Sequence, residues 1–194
     1  MNLTEIKRGL KFNSTHLAIL LTVIALAAGW LLKTVVTSRT EAYHRAGILA
    51  SIPYKWAVKN GLEGESLVFA ANPPLDMDQR YEVRLLPVVP GGKVTDAVNT
   101  RNLSQGQTLP FYKVSGQQAV RFNSQNGYQV NYAYVKTDVP GQNPMVIQGT
   151  DFYFETSTKV ILATFEDSVQ HFNDTLPGFY NFLATVSYQN GGQP

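Results

Sequence analysis

The sequence predicts an α+β protein: an antiparallel-sheet α/β sandwich carried behind one apolar N-terminal helix. Three observations lead there. Leu17–Val36, LAILLTVIALAAGWLLKTVV, is a long apolar run interrupted late by Lys33. From Ala46 to Phe165, short apolar stretches are punctuated by Gly, Pro and Asn, the pattern of strands and turns. Near the end, Phe172, Leu176, Phe179, Leu183 and Val186 step by four, three, four and three, which places all five on one helical face.

The apolar run comes first in the chain. Leu17–Leu32 carries no charge, and extension to Val36 brings the helix to about twenty residues, roughly one hydrocarbon thickness at ~1.5 Å rise per residue. It predicts a transmembrane helix over 17–36, a single-pass signal anchor in the lipid bilayer. Residues 1–16 form the flank, where Lys7, Arg8 and Lys11 stand against Glu5, so the positive-inside rule places the N-terminus in the cytoplasm. A cleaved signal peptide ending at Ala25-Leu26-Ala27 is the rival reading. The continuation GWLLKTVV argues against it. Ala18, Ala25, Ala28 and Gly29 are small enough for close packing against another helix. Residues 37–45, TSRTEAYHR, read as a polar stalk, 46–188 as the extracytoplasmic domain and 189–194 as a fraying tail.

Within the domain, Ile48–Ile52 and Trp56–Val58 suggest one strand bent at Pro53, and Leu67–Ala71 a short buried strand. Tyr81–Leu85 alternates with period two and runs on to Val89. Val94, Ala97, Val98 and Leu103 lie near helical spacing, which predicts a short amphipathic helix over Lys93–Ser104. Phe111–Val114, Ala119–Phe122 and Tyr128–Val135 follow as strands. Met145–Gln148 runs on to Asp151–Glu155 and forms a hairpin with Lys159–Phe165 around Thr156-Ser157-Thr158. In the closing helix, Pro177 is tolerated in a first turn, so the main helix is expected to start near Asp174 or Thr175.

Composition excludes several chemistries. There is no cysteine, hence no disulfide, thiolate nucleophile or Cys-ligated metal. The net charge of +2 belongs to the N-terminal flank and anchor; from Thr37 onward twelve Lys/Arg stand against thirteen Asp/Glu, and no basic face suited to nucleic acid emerges. Of His16, His44 and His171, only His171 falls inside the domain. It reads as a surface or cap residue. No Gly-x-Ser-x-Gly, P-loop or GxGxxG pattern occurs, so no catalytic residue, cofactor site or metal site is assigned. Glu63, Glu65, Asp76 and Asp78 could gather round Ca²⁺, with Asp76-Met77-Asp78 as the best fragment, but the bland reading is solvated loops.

The stretch Gly47-Ile48-Leu49-Ala50-Ser51-Ile52-Pro53-Tyr54-Lys55-Trp56 resembles the entry strand of PsbP-like domains, the family of the extrinsic photosystem II subunit and of a Ran-binding nuclear import factor. The hairpin Gly149–Phe165 and the helix around Leu176-Pro177-Gly178-Phe179 add to the likeness, which covers about 45–188. Ile52 stands where relatives carry an aromatic residue, and the photosynthetic members are untethered. The resemblance implies a scaffold that binds other proteins and stabilises a membrane complex.

These readings converge on a non-enzymatic, membrane-anchored accessory or assembly subunit of a larger membrane protein complex, of photosynthetic or respiratory kind. Tyr128, Tyr132 and Tyr134 share one strand face and, with Phe152 and Phe154, are the candidate partner contacts if exposed. The alternative is a tethered binding module for a small ligand or divalent ion in a cleft between sheet and helix; an unrecognised hydrolase comes third.

Overall fold

The computed structural model describes residues 14–37, 39–76, 78–87, 92–122, 125–137, 143–156 and 158–189, with the side chains of the N-terminal helix described for 17–30. The chain divides into two units, one ending at Arg39 and the other beginning at Thr40.

The first unit holds α1, Ser14–Thr37, whose backbone is helical over 24 residues. Leu17, Ile19, Leu21, Val23, Ile24 and Leu26 are each about half exposed or more. Among the described residues no helix is long and apolar enough to cross a membrane; 17–30 alone span about 21 Å.

Among its described residues the second unit has ten strands and two helices. β1 (Thr40–Arg45) and β2 (Ile48–Pro53) form a hairpin, completed as a three-stranded sheet by β10 (Ser187–Tyr188) on the other side of β2. β1 corrects the expected stalk. Its side chains are exposed except for half-buried Tyr43, so no apolar alternation announces it; backbone pairing and the Tyr43 ring, 4.6 Å from Phe69, hold it. Gly47 closes the hairpin at φ +78, and a Cβ there would come within 2.7 Å of the Gln189 carbonyl, so β10 can approach only a glycine.

At Pro53 the chain changes sheets rather than bending within one strand. Lys55 adopts φ +64, Trp56 N–H donates to the Pro53 carbonyl, and β3 (Ala57–Asn60) starts the large sheet. That sheet has seven antiparallel strands in the order β3-β4-β5-β9-β8-β7-β6. β4 is Leu67–Asn72, β5 Arg80–Pro87, β6 Lys113–Phe122, β7 Gln125–Lys136, β8 Met145–Glu155 and β9 Lys159–Ser168. Val88 and Val89, expected to extend β5, lie outside the described residues, as does most of the 189–194 tail. The two short strands expected at 111–122 are one, bulged between Val114 and Gly116. Phe111 instead sits in the preceding turn at φ +57.

The period of two along β9 sets the layers. Ile161, Ala163 and Phe165 face a large core shared with Phe69, Tyr81, Phe152 and helix α3 (Phe172–Leu183). Val160 and Leu162 face a smaller core with Val130, Tyr153 and Val98 of helix α2 (Val94–Thr108). The layers are thus α2, the seven-stranded sheet, then α3 with the small sheet.

Both helices depart from expectation in detail. α2 runs one turn past Ser104; Lys93 N–H donates to Asp96 Oδ2 at its start, and Leu109 N–H caps the Gln105 carbonyl at its end. Leu103 is exposed, and Gln105 takes a buried position instead. α3 begins at Phe172 because the His171 carbonyl already accepts the N–H groups of Asp174 and Thr175. Pro177 therefore lies in the second turn.

Candidate functional site

The sheet face beneath α2 is polar where a sandwich core is normally apolar. Glu82 of β5, Asp151 of β8 and Glu166 of β9 are buried there, matched by Arg80, Arg84 and Arg101. Arg101 reaches down from α2 and donates through Nε to Asp151 Oδ2 at 2.7 Å, while Thr164 Oγ1 donates to Asp151 Oδ1 at 2.6 Å. Tyr132 donates to Glu166 Oε1 at 2.8 Å, and Arg80 bridges Glu166 and Glu82 at 3.1 and 3.2 Å. Burial raises the Glu82 pKa, but Arg80, Arg84 and Arg101 outweigh it and hold the carboxyl below its ordinary value. Burial also acts against the Arg101 charge, and Asp151 together with Tyr132 and Tyr153 more than offsets it. Each charge here has a partner, the arrangement that makes buried ions tolerable.

Clefts open on two sides of this face. At the C-terminal end of α2, Arg80, Tyr134, Lys136 and Glu166 line a cleft of 420 Å³ in which Lys136 pairs with Asp78 at 2.9 Å. Along α2, Arg84, Arg101 and Gln105 line a groove of 360 Å³ between α2 and the sheet.

A third feature lies on the opposite side of the sheet. Asp167 ends β9 with the parity of Phe165, so it points towards α3, where Thr175 Oγ1 donates to its Oδ2 and Ser168 N–H to its Oδ1, both at 2.6 Å. It is fully buried. Burial pushes its pKa above the ordinary carboxylate value, against those two donors, and Asp76 adds to the rise. Asp76 belongs to the β4–β5 loop, where its Oδ1 accepts the N–H groups of Asp78 and Gln79 in an Asx turn. His171 precedes α3. One ligand atom from each of Asp76, Asp167 and His171 lies within 4.8 Å of the others. Asp76 and His171 also line a cleft of 570 Å³. Two carboxylates and one imidazole suit a divalent ion of Mn²⁺ or Zn²⁺ type better than Mg²⁺, which prefers oxygen alone.

Of the acids singled out in the sequence, Asp76 therefore joins a cluster, Asp78 pairs with Lys136, and Glu65 accepts the Leu62 N–H in its own loop. Met77 lies outside the described residues. Asp167 was missed because acid residues after an apolar strand read as a polar strand end. Ser168 Oγ lies 3.4 Å from His171 Nδ1, and Ser168 is buried. That distance is longer than the ~2.6–3.2 Å of a nucleophile–base pair.

The candidate partner contacts separate. Tyr132, Phe152 and Phe154 are 0%, 3% and 5% exposed and belong to the interior, so they offer no surface to a partner in this fold. Tyr128 and Tyr134 are half-buried. In α1, Ala18, Ala25, Ala28 and Gly29 are exposed, with open space beside Gly29. At ~100° per residue Ala18, Ala25 and Gly29 share one stripe and Ala28 lies off it.

No family model matches the chain, and no curated protein matches it. Solved structures do. The cyanobacterial PsbP (CyanoP) of Synechocystis sp. PCC 6803 superposes with a TM-score of 0.58 at 12% identity, over 77% of this chain and 92% of that one. A protein from Bacteroides thetaiotaomicron superposes with a TM-score of 0.51 at 11% identity, over 81% of this chain and 50% of that one. The Ran-binding protein Mog1p of Saccharomyces cerevisiae reaches 0.49 at 9% identity, over 77% and 95%. At such identities the likeness is one of fold: this chain has the α+β architecture of a PsbP-like domain.

Proposed function

We propose that this protein is a membrane-anchored accessory module, non-enzymatic, whose extracytoplasmic domain docks onto a subunit of a larger membrane protein complex. The observation that carries the reading is α1. Its helical backbone of 24 residues corresponds to about 36 Å, its sequence from Leu17 to Leu32 carries no charge, and the side chains described are exposed. Such a surface needs cover, and a bilayer supplies it. Lys7, Arg8 and Lys11 before it favour a cytoplasmic N-terminus. The experiment is fractionation after alkaline carbonate washing. Wild type is expected in the membrane pellet, and Leu21→Lys/Ile24→Lys in the supernatant; wild type in the supernatant would refute the anchor.

A second reading has its own observation, the Asp76, Asp167 and His171 cluster: the domain binds a divalent ion there. Mn²⁺ or Zn²⁺ should raise the melting temperature of wild type and not of His171→Ala. An equal rise in both proteins refutes it.

A further inference from the structure

The groove between α2 and the sheet contains a polar atom that nothing in the fold accounts for. Gln105 is 8% exposed, and its Oε1 is buried with no hydrogen-bond partner. A buried amide carbonyl gave up water on folding and normally receives a donor in return. Gln105 itself lines the 360 Å³ groove, so a turn of its terminal amide would present this acceptor to a donor there.

The rest of the lining tells what such a donor would be attached to. Leu86 of β5, Val160 of β9, and Val94 and Ala97 of α2 make an apolar strip. Val94, Ala97, Arg101 and Gln105 follow one another along α2 by steps of three and four, so apolar and polar positions share the side of the helix that borders the groove. Two guanidinium groups stand beside this strip with capacity left. Arg84 donates through Nε to Glu82 and through Nη1 to Ser66 Oγ; Arg101 donates through Nε and Nη2 to Asp151 and Thr164. Arg84 Nη2 and Arg101 Nη1 have no partner among the described residues. Both side chains line the groove.

From the buried Gln105 acceptor, the spare guanidinium donors and the apolar strip between them, we infer that this groove binds a small apolar carboxylic acid bearing an N–H, the chemistry of an N-acylated apolar amino acid. The N–H donates to Gln105 Oε1. The carboxylate accepts from Arg84 and Arg101, in the charge-assisted geometry that makes such bonds the stronger ones. The side chain lies along Leu86, Val94, Ala97 and Val160. A volume of 360 Å³ is at the small end of ligand pockets, which limits the occupant to a single residue of this kind. Asp96, which also borders the groove, is engaged by the Lys93 N–H at the start of α2, and Glu155 is exposed. This site is separate from the docking function proposed for the whole protein and from the Asp76 cluster.

The test uses full-length protein in mild detergent with N-acetyl-4-fluoro-L-phenylalanine as the probe, followed by ¹⁹F NMR titration. Wild type should shift and broaden the signal saturably. Ala97→Trp, which fills the groove and leaves α1 untouched, controls for probe held by the micelle. It should abolish saturation. Gln105→Leu removes the orphan acceptor without removing an internal bond, so the fold should persist by thermal melting, while affinity falls about tenfold. The neutral N-acetyl-4-fluoro-L-phenylalaninamide should bind about tenfold more weakly than the acid. The inference is overturned if wild type shows no saturable change, if Ala97→Trp saturates equally, or if the neutral amide binds as well as the acid.

Discussion

Replacing Arg101 by Met is the most informative perturbation of the domain. Arg101 is the ionic link between α2 and the sheet; its side chain is 15% exposed and its partner Asp151 is 0% exposed. Removing the guanidinium leaves Asp151 with Thr164 Oγ1 at 2.6 Å and Tyr153 Oη at 3.3 Å, two neutral donors around a buried charge. Breaking one side of a buried ion pair costs about 3–5 kcal/mol. For a domain of this size each kcal/mol corresponds to about 2–4 °C, so the melting temperature should fall by roughly 6–20 °C. The assay is thermal unfolding of full-length protein in mild detergent, followed by near-ultraviolet circular dichroism. The double variant Arg101→Met/Asp151→Asn should recover much of the loss, because an amide needs no counter-charge. If Arg101→Met melts within about 2 °C of wild type, or the double variant is no better than the single, the account of this polar layer is wrong.

Two further perturbations test packing and charge. A Cβ at Gly149 would overlap the Tyr132 ring, whereas one at Gly116 would meet its nearest neighbour at 3.8 Å; Gly149→Ala should destabilise by about 1–3 kcal/mol and Gly116→Ala should be neutral or slightly stabilising, read from urea midpoints. Similar midpoints for the two would remove steric exclusion as the reason for Gly149. Because the Asp167 pKa is raised in the folded state, the native protein holds that proton longer than the unfolded chain does, and stability should fall as pH rises from about 4 through the raised value. Asp167→Asn should lack that component, and Mn²⁺ should suppress it in wild type by favouring the carboxylate. Superimposable pH profiles for wild type and Asp167→Asn would contradict the assignment.

The parts of the fold visible in the sequence are those where side-chain burial follows backbone period. β9 shows its two faces as alternating residues over one apolar run, and α3 shows its buried stripe at Phe172, Phe179 and Leu183. β1 was hidden because it is an exposed edge strand held by backbone bonds, which no side-chain pattern records. α2 misled differently. Its inward positions include Arg101 and Gln105, polar residues made tolerable or left wanting by groups on other strands, so Leu103 looked like the better core residue. The even spacing of Tyr128, Tyr132 and Tyr134 was legible, but only the third dimension shows Tyr132 closed in and hydrogen-bonded to Glu166. The same holds for the cluster of Asp76, Asp167 and His171: the β4–β5 loop of Asp76 and the α3 entry of His171 meet only after the large sheet has been assembled.

The central claim, that an anchored domain serves a membrane complex, is tested most directly on native membranes. The full-length protein with a C-terminal tag is solubilised in several mild detergents and resolved on native gels, with the co-migrating chains identified. The account predicts stoichiometric co-migration with one large membrane complex, lost when α1 carries Leu21→Lys/Ile24→Lys. Recovery as a free monomer or self-dimer in every detergent would contradict it.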